Sequence, residues 1–181
     1  MTQYKEVTIG DYSLITVEDL NQLVMNDQYC NEILTQAPKG ILGYTIKTSA
    51  TGLTAYSLTN MATLETSFTC EHDRLISIHF SCPAMIATAA TSLPGSLLLR
   101  FYIDEENVGS FITEEFRDIV TYTGGLSLSF FSEQNLSAGV HAAKVQYKIV
   151  GGSGIGINLE GNAQYPTSVW VEDNGLYTET L

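Results

Sequence analysis

Charged side chains are scarce in this sequence. Only 15% of its 181 residues are Asp, Glu, Lys or Arg, against about 25% in an average soluble domain. Basic side chains are scarcer than acidic ones. The chain has eight Lys and Arg against 20 Asp and Glu, which gives a net charge of −12. A chain with so few cations has no basic patch to neutralise phosphates. Nucleic acid and anionic membrane surfaces are therefore not expected as partners.

Long apolar runs and a disulfide framework are also missing. No stretch reaches the roughly 18 consecutive apolar residues that a membrane helix needs, and residues 1–6 are too polar for a signal peptide. We therefore expect synthesis in a cytoplasm. The cysteines, Cys30, Cys70 and Cys82, form an odd set, which predicts free, mostly buried thiols in a reducing compartment.

What the chain has in abundance is material for β-sheets. Ser and Thr are frequent, and there are ten tyrosines and seven phenylalanines. Hydroxyl, β-branched and aromatic side chains suit pleated surfaces, so the composition predicts an all-β protein. A mean hydropathy of +0.07 combined with few charges leaves little polar surface to cover a monomer. This predicts a homo-oligomer.

The N-terminal part differs from the rest of the chain. Residues 1–15 show no sustained helical period and predict an extended arm, with Tyr4, Val7, Ile9 and Tyr12 as its apolar contacts. Residues 16–37 predict an α-helix, because Thr16 can cap it, acidic residues fill its first turn, and Pro38 and Gly40 follow it.

One side of the predicted helix is partly apolar. At 100° per residue, Leu20, Leu23, Val24 and Leu34 fall on one arc, which Asp27 interrupts. One interpretation is an oligomerisation helix similar to a short coiled coil. The other is a helix that caps or brackets the β domain, which is slightly favoured because about three heptads are the minimum for a coiled coil.

Residues 40–181 predict a jelly-roll-like antiparallel β-sandwich. Apolar and polar residues alternate in about nine short segments, a spacing typical of sandwiches and jelly rolls. The glycines at 151–154 predict a hairpin turn, and a second hairpin is expected to turn near Asp73. Residues 49–60 and 84–95 are expected to form loops.

No catalytic constellation emerges from the sequence. There is no G-x-S-x-G elbow, and the glycine run at 151–156 lacks the lysine of a phosphate loop. Cys70, His72, His79 and Cys82 match no zinc spacing. We therefore expect no enzyme activity, no cofactor, and no catalytic, cofactor-binding or metal-binding residue.

The C-terminal third carries several short motifs. They are Gly139-Val140-His141, Tyr165-Pro166 and Val171-Glu172-Asp173-Asn174-Gly175. Together with residues 14–21 and 37–41, this pattern resembles tailed-bacteriophage virion structural proteins of the head-decoration, minor-tail or fibre type. The resemblance implies structural motif roles for Gly139, His141, Tyr165, Pro166, Val171, Glu172, Asp173 and Gly175, and it implies trimeric jelly-roll domains without a catalytic residue.

The resemblance implies two functions. The first is a capsid decoration (cement) protein, a homotrimer held on the outer surface of the virion by contact with the major capsid protein or another virion protein. Its attachment or oligomer contacts are expected at Tyr4, Val7, Ile9, Tyr12, Leu20, Leu23, Val24 and Leu34. The alternative is a tail or head fibre module that binds a host-surface glycan through loops at 49–60 and 105–109. Either protein is expected to be made in the host bacterial cytoplasm.

Overall fold

The computed structural model describes residues 17–36, 39–71, 73–119, 122–132 and 135–175. The predicted arm, with Tyr4, Val7, Ile9 and Tyr12, lies outside the described residues. One α-helix, α1, spans Val17–Gln36, within one residue of the predicted ends. The chain up to Pro38 and the chain from Lys39 onward form two separate compact units.

Helix α1 exposes much of its apolar side. Leu20, Leu23 and Val24 are 51%, 46% and 58% exposed, and Met25 is 45% exposed. Leu34 belongs to the helix, but its side chain is outside the described residues. Among the described segments, no helix is both long enough and apolar enough to cross a bilayer.

The described part of the second unit contains twelve β-strands. They are β1 Gly40–Lys47, β2 Thr51–Leu53, β3 Thr59–Cys70, β4 Ile76–Cys82, β5 Ala84–Ala89, β6 Ser92–Ile103, β7 Glu106–Ile112, β8 Tyr122–Thr123, β9 Leu126–Phe131, β10 Gly139–Ser153, β11 Gly156–Glu160 and β12 Thr167–Asp173. All of their pairings are antiparallel. The predicted all-β sandwich is confirmed.

The strands form two layers. One layer is the sheet β3-β10-β6-β7, which we name the continuous sheet. The sheets β1-β12-β4-β9 and β2-β11-β5-β8 share one strand order, because β1 runs on into β2, β4 into β5, β8 into β9 and β11 into β12. Together they form a second layer, which we name the broken sheet.

Counting each joined pair as one strand gives eight strands. The broken sheet then has the order 1-8-3-6 and the continuous sheet the order 2-7-4-5, which is the strand order of a jelly roll, the double-sheet arrangement built from two Greek keys. Phe80 of β4 and Phe101 of β6 meet edge to face at 5.8 Å. The two layers therefore pack face to face.

The core lies between these layers and follows the predicted alternation. The apolar positions of the alternating segments are buried in and beside β4, β6, β10 and β11, and they join one cluster. They are Ile76, Ile78, Phe80, Cys82, Leu97, Leu99, Phe101, Ile103, Val145, Tyr147, Ile149, Ile155, Ile157 and Leu159. Each fully buried Leu, Ile or Phe contributes about 1.5–3 kcal/mol relative to an exposed position. Cys70 and Cys82 are buried in the same cluster, Cys30 is exposed, and all three are free thiols, as predicted.

Both predicted hairpins are wrong. After Gly151, Gly152 and Gly154, whose φ values are +75°, +52° and +59°, the chain leaves the continuous sheet and enters the broken sheet, so β10 and β11 do not pair. The connection near Asp73 likewise joins β3 of one layer to β4 of the other. In this topology, strands that follow each other in sequence mostly lie in opposite layers.

Both predicted loops contain strands. Residues 51–53 form β2, which pairs with β11, and residues 84–89 form β5, which pairs with β11 and β8. Only Pro83 separates β4 from β5, so the chain continues from one strand into the next across a one-residue break. The sequence of β5, AMIATA, does not predict a strand because its two bulky apolar residues are adjacent and do not alternate with polar ones.

Candidate functional site

The structure does not bring the motif residues to one place. Gly139 pairs with Cys70, and Asp173 pairs with Gly40 and Ile76, all at one end of the sandwich. Tyr165 lies before the other end of β12, at the break between β11 and β12. Because β12 has seven residues, about 20 Å separates the two groups.

A buried ion pair lies at the first of these ends. The Arg74 and Asp173 side chains are 2% and 1% exposed. Nε of Arg74 donates to both carboxylate oxygens of Asp173 at 2.9 Å, and its Nη2 is 2.9 Å from Oδ2. The backbone N–H groups of Lys39 and Gly175 also donate to this carboxylate, at 3.0 and 2.8 Å. Asp173 therefore joins the first and last described residues of the β unit, Lys39 and Gly175, to the loop before β4.

Hydrogen bonds keep Asp173 ionised. Burial alone would raise the pKa of its carboxyl, but the hydrogen bonds from Arg74, Gly175 and Lys39 outweigh burial and lower that pKa. Gly175, with φ of +93°, adopts a conformation that favours glycine and brings its N–H to the carboxylate. The Asp173-x-Gly175 part of the motif is thus a structural clasp. Val171 lies in the core.

A small cavity adjoins the clasp. It holds about 170 Å³ and is lined by Lys39, Leu42, Thr69, Cys70, Glu71, Arg74 and Asp173. Burial and the negative charge of Asp173 raise the pKa of the Cys70 thiol. Since the thiolate is the reactive form, Cys70 is unsuited to nucleophilic chemistry.

His141 forms a second long-range contact, with Asp104, which we name the clamp. Its Nδ1 lies 2.8 Å from Oδ2 of Asp104, its Nε2 lies 2.9 Å from the carbonyl oxygen of Ser137, and its ring stacks on Phe68 at 5.5 Å. Asp104 reaches back from the β6–β7 turn, where its φ is +49°, and also accepts the N–H of Ala142. Sequence analysis singled out His141 but missed Asp104.

Both ring nitrogens of His141 face acceptors, so both must carry a proton to make both bonds. Burial would lower the pKa of His141, but the bonds to Asp104 and Ser137 outweigh it and raise that pKa. Burial would likewise raise the pKa of Asp104, yet the bonds from His141 and Ala142 lower it. The pair is an ion pair that pins the start of β10 to the β6–β7 turn.

The outer face of the broken sheet carries a third cluster. The rings of His79 and Trp170 stack at 4.9 Å, and His79 lies within 2.7 Å of the hydroxyls of Ser77 and Ser129. Burial lowers the pKa of His79, and Glu172, 3.3 Å away, offsets only part of that effect. Glu172 of the motif thus faces outward beside a neutral imidazole.

The remaining motif residues lie beside an open groove at the break in the sheet. Tyr165 is 59% exposed, and with Pro166 it lines a depression of about 490 Å³.

Within the described part of the chain, no group of three His, Cys, Asp or Glu side chains is placed to hold a metal ion.

Comparison with known proteins gives no family. No protein-family model matches the sequence, and no curated protein is significantly similar to it. Among solved structures, a carbohydrate-binding module of Cellvibrio mixtus lichenase 5A is 16% identical with a TM-score of 0.32, covering 79% of this chain and 95% of that one. The infectious bursal disease virus Gt strain structure is 10% identical with a TM-score of 0.38, covering 80% of this chain and 39% of that one.

A CBM36 domain of a xylanase from the hindgut metagenome of Trinervitermes trinervoides is 10% identical with a TM-score of 0.31, and the match covers 76% of this chain and 98% of that domain. Such distant similarity carries no functional argument. The jelly-roll assignment rests on the strand order of this chain.

Proposed function

We propose that this chain is a bacteriophage virion structural protein, a capsid decoration or cement protein attached to the outer surface of the head as a homotrimer. The jelly roll supports this proposal, since viral capsid domains use it, although a fold alone does not fix a function. The net charge of −12 suits an outward-facing part, because it repels packaged DNA.

The observation that carries the proposal is the exposed apolar side of α1. Leu20, Leu23 and Val24 are each about half exposed. Helices in proteins gain most of their stability by packing such an apolar face against another surface. A second copy or a capsid protein would supply the missing surface. We place the attachment contacts on these side chains, on Leu34 and on the arm residues Tyr4, Val7, Ile9 and Tyr12.

A cement protein works through binding energy alone. A subunit that binds the assembled shell and not the free capsomers shifts the equilibrium toward the shell. The proposal includes no enzyme activity, and the titratable side chains support this. The carboxylates of Asp104 and Asp173 and the ring of His141 are engaged in structural bonds.

The test combines location with function. Antibody-gold labelling of purified particles should mark the head, and particles that lack the protein should lose resistance to heat and osmotic shock. A Leu23→Asn/Val24→Asn variant should fail to restore that resistance. Met25→Asn is the matched control, because Met25 is equally exposed but lies off the apolar arc. Label confined to the tail, or unchanged resistance without the protein, would refute the cement role.

The second candidate is a tail or head fibre module that binds a host-surface glycan. The loops predicted to bind it give little support, because the hydroxyl of Tyr56 is taken by the N–H of Ile155 at 2.7 Å. What favours this candidate is the groove on the outer face of the broken sheet, where the exposed side chain of Tyr165 lies beside serine hydroxyls. Purified protein should then bind host cells, and the absence of binding would argue against it.

A further inference from the structure

Tyr165 is the motif side chain that the fold does not use. The side chains of His141, Val171 and Asp173 are buried in the clamp, the core and the clasp. Tyr165 is 59% exposed, and its hydroxyl meets only the neighbouring Gln164, at 3.1 Å, among the described residues. A large aromatic side chain held in water at this position requires another explanation.

The loop that presents Tyr165 is fixed in advance. Oδ1 of Asn162 accepts the backbone N–H groups of Gln164 and Tyr165 at 2.9 and 2.8 Å, and the N–H of Asn162 donates to the carbonyl of Tyr165 at 3.1 Å. A side chain at Gly161 would meet the carbonyl oxygen of Lys47 at 2.6 Å. This rigidity removes much of the ordering cost of binding a ligand.

The groove beside Tyr165 is lined by a row of hydroxyls. Ser168 pairs with Ser81, and Ser81 pairs with Ser127, so the three side chains cross three neighbouring strands on the outer face. None of them is hydrogen-bonded to another residue in the part of the chain that the structure describes. Since neighbouring strands lie about 4.8 Å apart, the serines repeat at a spacing close to the length of one pyranose unit in an extended chain.

The chemistry of the lining selects an uncharged ligand. The groove is lined by Ser, Gln, Tyr, Pro, Gly, Leu and Cys, and none of the described residues that line it is charged. Its volume of about 490 Å³ lies within the range of small-ligand sites. Hydroxyl and amide groups beside an exposed aromatic ring match a sugar, which presents both hydroxyls and an apolar ring face.

We propose that this groove, lined by Tyr165, Gln164, Ser81, Ser127 and Ser168, binds an uncharged polysaccharide that runs across the strands. One sugar ring packs on Tyr165, and successive sugars exchange hydrogen bonds with the serine row. The inference deepens the second candidate function, on which it rests, by naming its surface and its ligand class. It does not depend on whether the protein lies on the head or the tail.

The test is affinity electrophoresis of the full chain in native gels that contain dextran, galactomannan or mixed-linkage β-glucan, with alginate as an acidic comparison. At least one neutral polysaccharide should retard the wild-type protein, and alginate should not. Tyr165→Ala should weaken retardation about tenfold, as truncation of an aromatic anchor does. Ser127→Val tests the hydroxyl row separately and should weaken it severalfold.

Tyr44→Ala is the matched control, because Tyr44 is 68% exposed on the same sheet but does not line the groove. It should leave retardation unchanged. If the wild type binds none of the neutral polysaccharides, the groove proposal fails, and binding to host cells decides the glycan-binding candidate separately. If the wild type binds but Tyr165→Ala binds equally well, or Tyr44→Ala loses as much, the groove assignment fails while glycan binding stands. A fall in native mass in Tyr165→Ala would instead show that the groove holds a second copy.

Discussion

At the scale of single residues, two ionic contacts hold one end of the sandwich together, one buried and one half exposed. Asp173 and Arg74 are 99 positions apart, and Asp104 and His141 are 37 apart. Each pair adds a side-chain contact to the backbone hydrogen bonds that already join the loop to the strand end. A buried charge left without its partner costs several kcal/mol, so the buried Arg74–Asp173 contact matters more to the stability of that end than the half-exposed Asp104–His141 contact.

The His141 clamp predicts a particular pH dependence. Because folding raises the pKa of His141, its stabilisation is complete below the unfolded-state pKa of about 6.5 and is lost as the pH rises through the higher folded-state pKa. At acidic pH the wild type should have a higher free energy of unfolding than His141→Asn. This difference should shrink by on the order of 1 kcal/mol at alkaline pH. Urea unfolding of both proteins at a series of pH values from 5.5 to 8.5 measures this.

His79 provides the internal control for that measurement. Its pKa is lowered by burial, so its contribution has the opposite sign and is lost as the pH falls. His79→Asn should still lose stability as the pH rises, as the wild type does. An alkaline loss that persists in His141→Asn would contradict the clamp.

The Asp173 clasp predicts a large loss of stability. Asp173→Ala leaves the buried Arg74 guanidinium without its carboxylate, which should cost about 3–5 kcal/mol in urea unfolding. Glu172→Gln, on the outward side of the same strand, should cost under about 1 kcal/mol, since Glu172 is only half-buried. If the double variant Arg74→Met/Asp173→Leu is no more stable than Asp173→Ala, the charge left unpaired is not the cause.

At the scale of elements, alternation in the sequence predicted which side chains point inward but not which strands are neighbours. The inward faces of β4 and β6 were predicted correctly because alternation reports burial directly. Pairing depends on where each strand lies in the jelly roll, and among the described strands only β6 and β7 are both consecutive and hydrogen-bonded. The expected hairpins at 151–154 and near Asp73 failed for this reason.

The clasp and the clamp were beyond prediction for a related reason. Val169 and Val171 could be read as core residues from their period, whereas nothing in the sequence near Asp173 indicates Arg74. His141 was marked by its motif, but Asp104 lies in an acidic turn with Glu105 and Glu106, where the pattern favours solvated carboxylates. Long-range polar partners follow from topology, and topology was not available from the pattern.

The contact between β7 and β9 gives a prediction at this scale. A methyl group at Gly109 of β7 would overlap the ring of Phe130, which stacks on Phe101 at 4.8 Å. Gly109→Ala should therefore destabilise the protein by about 1–3 kcal/mol through overpacking. Gly124→Ala is the control, because nothing lies within 4 Å of the added methyl group, and it should change stability by under about 1 kcal/mol. Equal melting temperatures for the two variants would contradict the packing described.

At the scale of the whole molecule, two properties oppose each other. A net charge of −12 on 181 residues makes copies repel, while the exposed apolar residues of α1 and of β1, where Ile41, Tyr44 and Ile46 are 62%, 68% and 50% exposed, favour association. The balance depends on salt, since exposed charges are screened beyond about 10 Å at 0.1 M ionic strength. Association should therefore strengthen as salt is added.

Sedimentation of the purified chain at low and at moderate NaCl concentration measures this balance. The wild type should shift from monomer toward trimer as salt rises, because screening weakens repulsion between the acidic subunits while the apolar contact persists. Leu23→Asn/Val24→Asn should stay monomeric at every salt concentration, whereas Met25→Asn should follow the wild type. A trimer that forms equally in the double variant would move the self-association surface from α1 to the β unit, where the exposed row of Ile41, Tyr44 and Ile46 becomes the next surface to mutate.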